Sequence, residues 1–261
     1  LVASVLGILS GIIILYFGVK GNQANLPLAI GQLSIALGIF VHFALVSKMI
    51  LHWPFMYRLG NPLVLIFIPM SYLHVIFYTR NRRWKWFDWL HAIPLLIFLV
   101  DYWHVLSLSN VEKLQILQQE VNDLNVLGRF SQSKYFGPGF HQSFRTALFS
   151  VYWMAQVYIL VKWVKGQPTL TPQNKVWKNW IMLFLGYQFF IWFPFYLSLF
   201  GLNIMTTYHI VNSFSIVWLL LSSLSMFFFP SLLYGKFYDH GTNFKTGFRQ
   251  KTTLMEGEVK K

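Results

Sequence analysis

Polar and apolar positions in this chain are gathered into long blocks instead of being interleaved. Between Lys178 and Lys236 two apolar segments follow one another without a formally charged side chain. Each exceeds the roughly 20 residues needed to cross about 30 Å of hydrocarbon, so both read as spanning helices. Apolar stretches of the same kind predict spans at Val2–Val19, Leu26–Ser47, Gly60–Thr79, Trp89–Leu108, Phe140–Val164, Asn179–Leu202 and Ile204–Leu233. None alternates at every second position, as the strands of a transmembrane barrel do. The pattern predicts an all-α fold, a polytopic membrane helix bundle of about seven transmembrane helices over 1–235, with a basic tail at 236–261.

Two connecting stretches have patterns of their own. From Val111 to Leu127, apolar residues recur every three or four positions between Glu112, Lys113, Gln118, Glu120 and Asp123, which predicts an amphipathic helix within a long connection at 108–139. It could rest on the bilayer, cover a cavity or pair with a second subunit. The turn Gly137-Pro138-Gly139 returns the chain to the membrane. The tail has no sustained apolar period and reads as a flexible segment or linker.

Composition agrees with a bilayer setting. Charged residues make up 11% of the chain, against about 25% in a soluble domain. Lys and Arg are unevenly placed: with the amino terminus outside, Lys20, the Arg80–Lys85 loop, Lys162–Lys178 and the tail carry most of them on the inner side. The positive-inside bias therefore predicts amino terminus out and carboxyl terminus in, and accounts for the net charge of +13 without nucleic acid. The chain has no cysteine, and it starts at Leu1, which reads as a fragment or a processed product. Its first apolar segment lacks a basic leader and a small-residue cleavage site, and reads as a true span.

Chemistry within the spans is sparse. Asp101 is the only carboxylate well inside an apolar stretch, with His104 one turn later on the same face. The same depth is expected to hold His42, Tyr208, His209, Asn212 and Arg145, together with Gln142 and Asn203. Ionisable groups at membrane depth are costly unless paired or hydrated, which makes this set a candidate ligand- or proton-sensing cluster. The alternative is that Asp101 only pairs locally with His104 or an interfacial Trp. His74 and His91 lie near the opposite face and are expected to bond backbone or headgroups. No second helix carries paired histidines for haem, no zinc motif is present, and no nucleophile elbow or phosphate loop occurs. No cofactor, metal or enzymatic activity is expected.

Several short runs carry a resemblance. Leu59-Gly60-Asn61-Pro62-Leu63 with Pro69 and Tyr72, the basic Arg80–Trp86 loop, Asp88-Trp89-Leu90-His91-Ala92-Ile93-Pro94 and Phe229-Pro230-Ser231-Leu232-Leu233-Tyr234-Gly235 are involved. Together they resemble the multi-span sensor domain of bacterial membrane-bound AraC-type helix-turn-helix transcription regulators. The resemblance implies a multi-pass protein of the bacterial cytoplasmic membrane that passes a stimulus to a cytoplasmic DNA-binding domain. That domain is not in this chain, so DNA is a partner only through it. The other expected partners are the lipid bilayer, an unknown small ligand or proton, and a second copy in a homodimer. Pro194 and Pro230 are the expected hinges. The competing readings are a small-molecule transporter or permease-like protein, and a structural anchor that senses nothing.

Overall fold

Helix formation here follows from a chain that must satisfy its own backbone polar groups wherever water is excluded. The computed structural model describes residues 1–122, 131–167 and 169–228. Its α-helices are α1 (Val2–Lys20), α2 (Asn25–Val46), α3 (Gly60–Thr79), α4 (Ile93–Leu106), α5 (Asn110–Glu120), α6 (Phe140–Lys165), α7 (Pro172–Leu199) and α8 (Ile204–Phe228). Seven segments are long and apolar enough to cross a membrane, α4 counting together with the residues before it as Trp86–Leu106. This is the architecture of a multi-pass helical membrane protein.

Two spans depart from their predicted limits for local reasons. α7 starts at Pro172 instead of Asn179, because the Thr171 hydroxyl accepts from Asn174 N at 3.2 Å and Pro172 suits a first turn. Lys175 and Lys178 ride on that helix, since long aliphatic stems let an ammonium group reach the interface. The fourth span begins as a 3₁₀ segment, Trp86–Ala92, and becomes α-helical only at Ile93. Buried Asp88 sets this entry: its carboxylate accepts from Lys85 N at 2.8 Å and from both terminal nitrogens of Arg82 at 2.8 and 2.7 Å. That hydrogen-bonded ion pair raises the Arg82 pKa above its ordinary value.

Neighbour contacts run α1–α2–α3–α6–α7–α8 and back to α1, so six helices close a ring, and the 86–106 span packs outside it on α3. Small residues allow close approach. A Cβ on Gly7 would lie 2.8 Å from Leu219 Cδ2 and 2.9 Å from Ala36 Cβ. Between α1, α2 and α8, Gln32 Nε2 donates to Ser222 Oγ at 2.8 Å and Ser10 Oγ at 3.3 Å, and Ser10 meets Ser223 at 3.0 Å. Gln156 and Gln188 exchange reciprocal amide bonds of 2.9 and 3.1 Å between α6 and α7. Such interhelical bonds hold a bundle together where apolar burial alone gives no preference over lipid. Mid-bundle, Phe67, Phe149, Phe184, Tyr187 and Trp218 fill the ring, with Tyr187 stacked on Trp218 at 4.7 Å and 11°.

Candidate functional site

At one end of the ring the packing opens. The C-terminal part of α2, the start of α3, the start of α6, the end of α7 and the start of α8 surround a cavity of about 220 Å³, together with residues 50–58 of the α2–α3 connection. Its walls are mainly apolar, from Ile35, Ile39, Phe149, Ile191, Trp192 and Phe195, while polar atoms come from Asn61, Arg145, His42, Tyr208 and Asn212. The aromatic layer lies one to two turns deeper along α3, α7 and α8: Phe67 after Val64, Tyr187 and Phe184 before Ile191, Trp218 after Ser215. The cavity therefore ends on packed rings within the bundle.

Arg145 is the decisive side chain. It is only 8% exposed, Nη1 donates to Asn61 Oδ1 at 2.8 Å, and the guanidinium sits 5.4 Å from the centre of the Phe195 ring. Among the described residues no carboxylate lies within 4.0 Å of it. An amide oxygen and a ring face stabilise a buried cation far less than a carboxylate does, so Arg145 holds its charge in the cavity wall at a cost. Asn61, which orients it, is itself buried, and its Nδ2 has no hydrogen-bond partner among the described residues.

The second arginine of the wall is differently placed. Arg58 Nη2 pairs with Glu120 Oε1 at 3.2 Å, both side chains being almost fully buried, and Arg58 Nε donates to Gln132 Oε1 at 3.2 Å. The Tyr57 hydroxyl lies 2.7 Å from Glu120 Oε2 and 2.9 Å from Gln132 Oε1, and its single proton serves one of them. Burial pushes the Tyr57 phenol well above its ordinary pKa, so it remains a donor. Arg58 adopts a left-handed backbone with φ of 65°, a conformation uncommon outside glycine, held by these contacts. Through Glu120 and Gln132 the amphipathic α5 and the approach to α6 are tied to the cavity mouth.

The sequence-predicted cluster divides in two. His42, Arg145, Tyr208 and Asn212 line the cavity. Asn212 Nδ2 donates to His42 Nε2 at 3.0 Å, joining α2 to α8. Asp101, His104 and His209 are not in its wall. The Asp101 carboxylate instead accepts from Ser133 Oγ at 2.7 Å, Lys134 N at 2.9 Å, Tyr135 N at 2.7 Å and His141 Nε2 at 2.5 Å. It is a buried anchor for the loop entering α6, and its partner is His141, which the sequence reading overlooked. His104 is exposed and its Nδ1 meets the Asp101 carbonyl at 3.1 Å, a bond within one helical turn. His209 is exposed on α8, and Asn203 uses its side chain to cap Met205 N at 2.8 Å. His74 is buried and bonds the Ala24 carbonyl at 2.7 Å, while His91 lies 2.5 Å from the Tyr152 hydroxyl. Pro194 is buried inside an uninterrupted α7, and Pro230 lies outside the described residues. Asn61 and Arg58 went unassigned from sequence, although the run Leu59–Leu63 had marked the entry to α3. Among the described residues no three His, Asp or Glu converge as metal ligands would.

Comparison with family models, curated proteins and solved structures finds no match for this chain.

Proposed function

We propose that this chain is a membrane receptor module in which occupancy of the cavity at one end of the helix ring biases the arrangement of the helices at the other. The observation that carries the reading is the buried Arg145 in a cavity built from five different helices and ending on a packed aromatic layer. A ligand there touches α2, α3, α6, α7 and α8 at once, and a ligand that fits one arrangement better shifts the population toward it. A transporter would need a continuous polar route past Phe67, Phe184 and Trp218. The positive-inside bias puts the cavity outward, with the amino terminus out and the carboxyl terminus in, and the basic 80–85 loop inside. The resemblance to membrane-bound AraC-type regulators supports a bacterial cytoplasmic membrane and an output through a cytoplasmic DNA-binding domain joined after the last span.

The test fuses the chain through its tail to a DNA-binding domain and follows a reporter promoter in cells. Gly38 lines the cavity, and a Cβ there meets nothing within 4 Å, so Gly38→Leu starts its side chain in open space and is chosen to fill the cavity. The expected outcome is a reporter locked in one state by Gly38→Leu. Identical output from an unrelated seven-span anchor would reduce the module to a tether, and uptake of solutes by vesicles bearing the chain would make it a transporter.

A further inference from the structure

The charges of the cavity wall do not cancel. No lining residue is an aspartate or glutamate, Arg58 is matched by Glu120, and Arg145 is left as the unmatched charge among the described residues. Arg145 makes a single Nη1 bond to Asn61 and approaches Phe195, so its remaining N–H groups have no acceptor among the described residues. Asn61 adds a buried amide donor without a partner among the described residues. Gly60 and Asn61 also form the first turn of α3 and line the cavity, so the positive end of that helix faces the same space. Three kinds of donor thus converge in a wall that supplies no carboxylate. The apolar lining comes from Ile35, Ile39 and Ile191, with Phe195 against the guanidinium itself.

We infer that the cavity takes a small amphiphilic organic anion, its acidic head group on Arg145 and Asn61 at the start of α3 and its apolar body against α2 and α7. This ligand class belongs to the receptor reading above and rests on it. One negative charge matches the one unmatched arginine, and the acid oxygens accept from the N–H groups that the protein leaves open. A cation would meet Arg145 without an opposing carboxylate, and a neutral alcohol would leave the guanidinium uncompensated. Carboxylates and phosphate monoesters or diesters share the required chemistry, whether free in the aqueous phase or belonging to a lipid.

The full chain in phosphatidylcholine nanodiscs is titrated with octanoate, octyl phosphate, 1-octanol and octylammonium while its thermal unfolding is followed. The two anions are expected to raise Tm saturably, and the alcohol and the amine to leave it unchanged. Octanoate should bind Arg145→Gln about tenfold more weakly or worse, as loss of a charged hydrogen-bond partner implies, with Arg145→Lys in between. Gly38→Leu, whose Cβ enters open space, is expected to fold, with an unchanged thermal transition in the absence of ligand as the check, and should abolish binding, so it decides the matter even if Arg145→Gln fails to fold. Competition when phosphatidylglycerol is added to the disc assigns the anion to the bilayer, and its absence assigns it to the aqueous phase. Both outcomes support the class. Equal binding of 1-octanol or octylammonium, binding that survives Gly38→Leu, or no response to either anion overturns it. Where a neutral or cationic amphiphile binds in a manner abolished by Gly38→Leu, the receptor reading stands and the anion falls. Where the anion binds but the far end of the bundle does not respond, the class stands and the receptor reading falls.

Discussion

Asp101 and Arg145 illustrate two uses of a charge at membrane depth. Asp101 is fully matched by four donors, two of them backbone amides, and so fixes the course of the chain into α6. His141 and Arg145 are one turn apart on that helix, so the carboxylate positions the arginine without entering the cavity. Asp101→Ala removes the shared acceptor of His141 Nε2, Ser133 Oγ and two amides, and should cost about 3–5 kcal/mol, the range for breaking one partner of a buried pair. Hydrogen exchange at Lys134 and Tyr135 should accelerate most. His104→Ala removes only an exposed bond within a turn and should stay within about 0.5 kcal/mol of wild type. Both charges stood out in the sequence because charged residues are rare inside apolar spans. Their division of labour did not, since the partners His141 and Asn61 lie 40 and 84 positions away and only packing brings them together.

Individual elements separate into those held by their own sequence and those held by neighbours. α5 carries a capping box: Ser109 Oγ accepts from Glu112 N at 3.3 Å and the Glu112 carboxylate accepts from Ser109 N at 2.9 Å. The Ser109 hydroxyl and backbone amide hold the Glu112 carboxyl below its ordinary 4.5. A carboxyl lowered by folding stabilises the helix above its unfolded value, and that contribution is lost as pH falls through the folded value. Amide protection in the first turn of α5 should therefore be flat at neutral pH and drop only in acid below 4.5. Ser109→Ala should remove the step. The glycines of the ring predict opposite signs: Gly7→Val collides with Leu219 and Ala36 and should lower Tm, whereas Gly38→Ala meets open space and should raise stability by about 1 kcal/mol. The length of an uncharged apolar run reads the body of each span well, and α3 has the limits expected, Gly60–Thr79. Ends are less legible, because a cap such as Thr171 or a buried ion pair such as Arg82–Asp88 decides where the helix begins, independently of where charge first appears.

At the scale of the whole molecule, the described residues form a ring of six helices with a seventh span outside, open at one end and filled by aromatic packing further in. Number and location of spans were legible because hydrocarbon thickness sets a length that composition reveals. The closing of the ring by α1 against α8 was not, since it depends on close approach at Gly7 and on the contact of Ser10 with Ser223, which lies 213 positions away. The proposed orientation predicts that, in a chain with no native cysteine, Lys134→Cys reacts with an impermeant maleimide on intact cells and Arg83→Cys only after lysis. The claim that occupancy at one end moves the other is tested most directly by spin labels at Lys20→Cys and Lys175→Cys, which end α1 and begin α7 opposite the cavity. Their distance distribution, measured in nanodiscs, should shift when Gly38→Leu fills the cavity or octanoate saturates it. An unchanged distribution in the presence of the cavity-filling substitution contradicts a receptor built on this cavity.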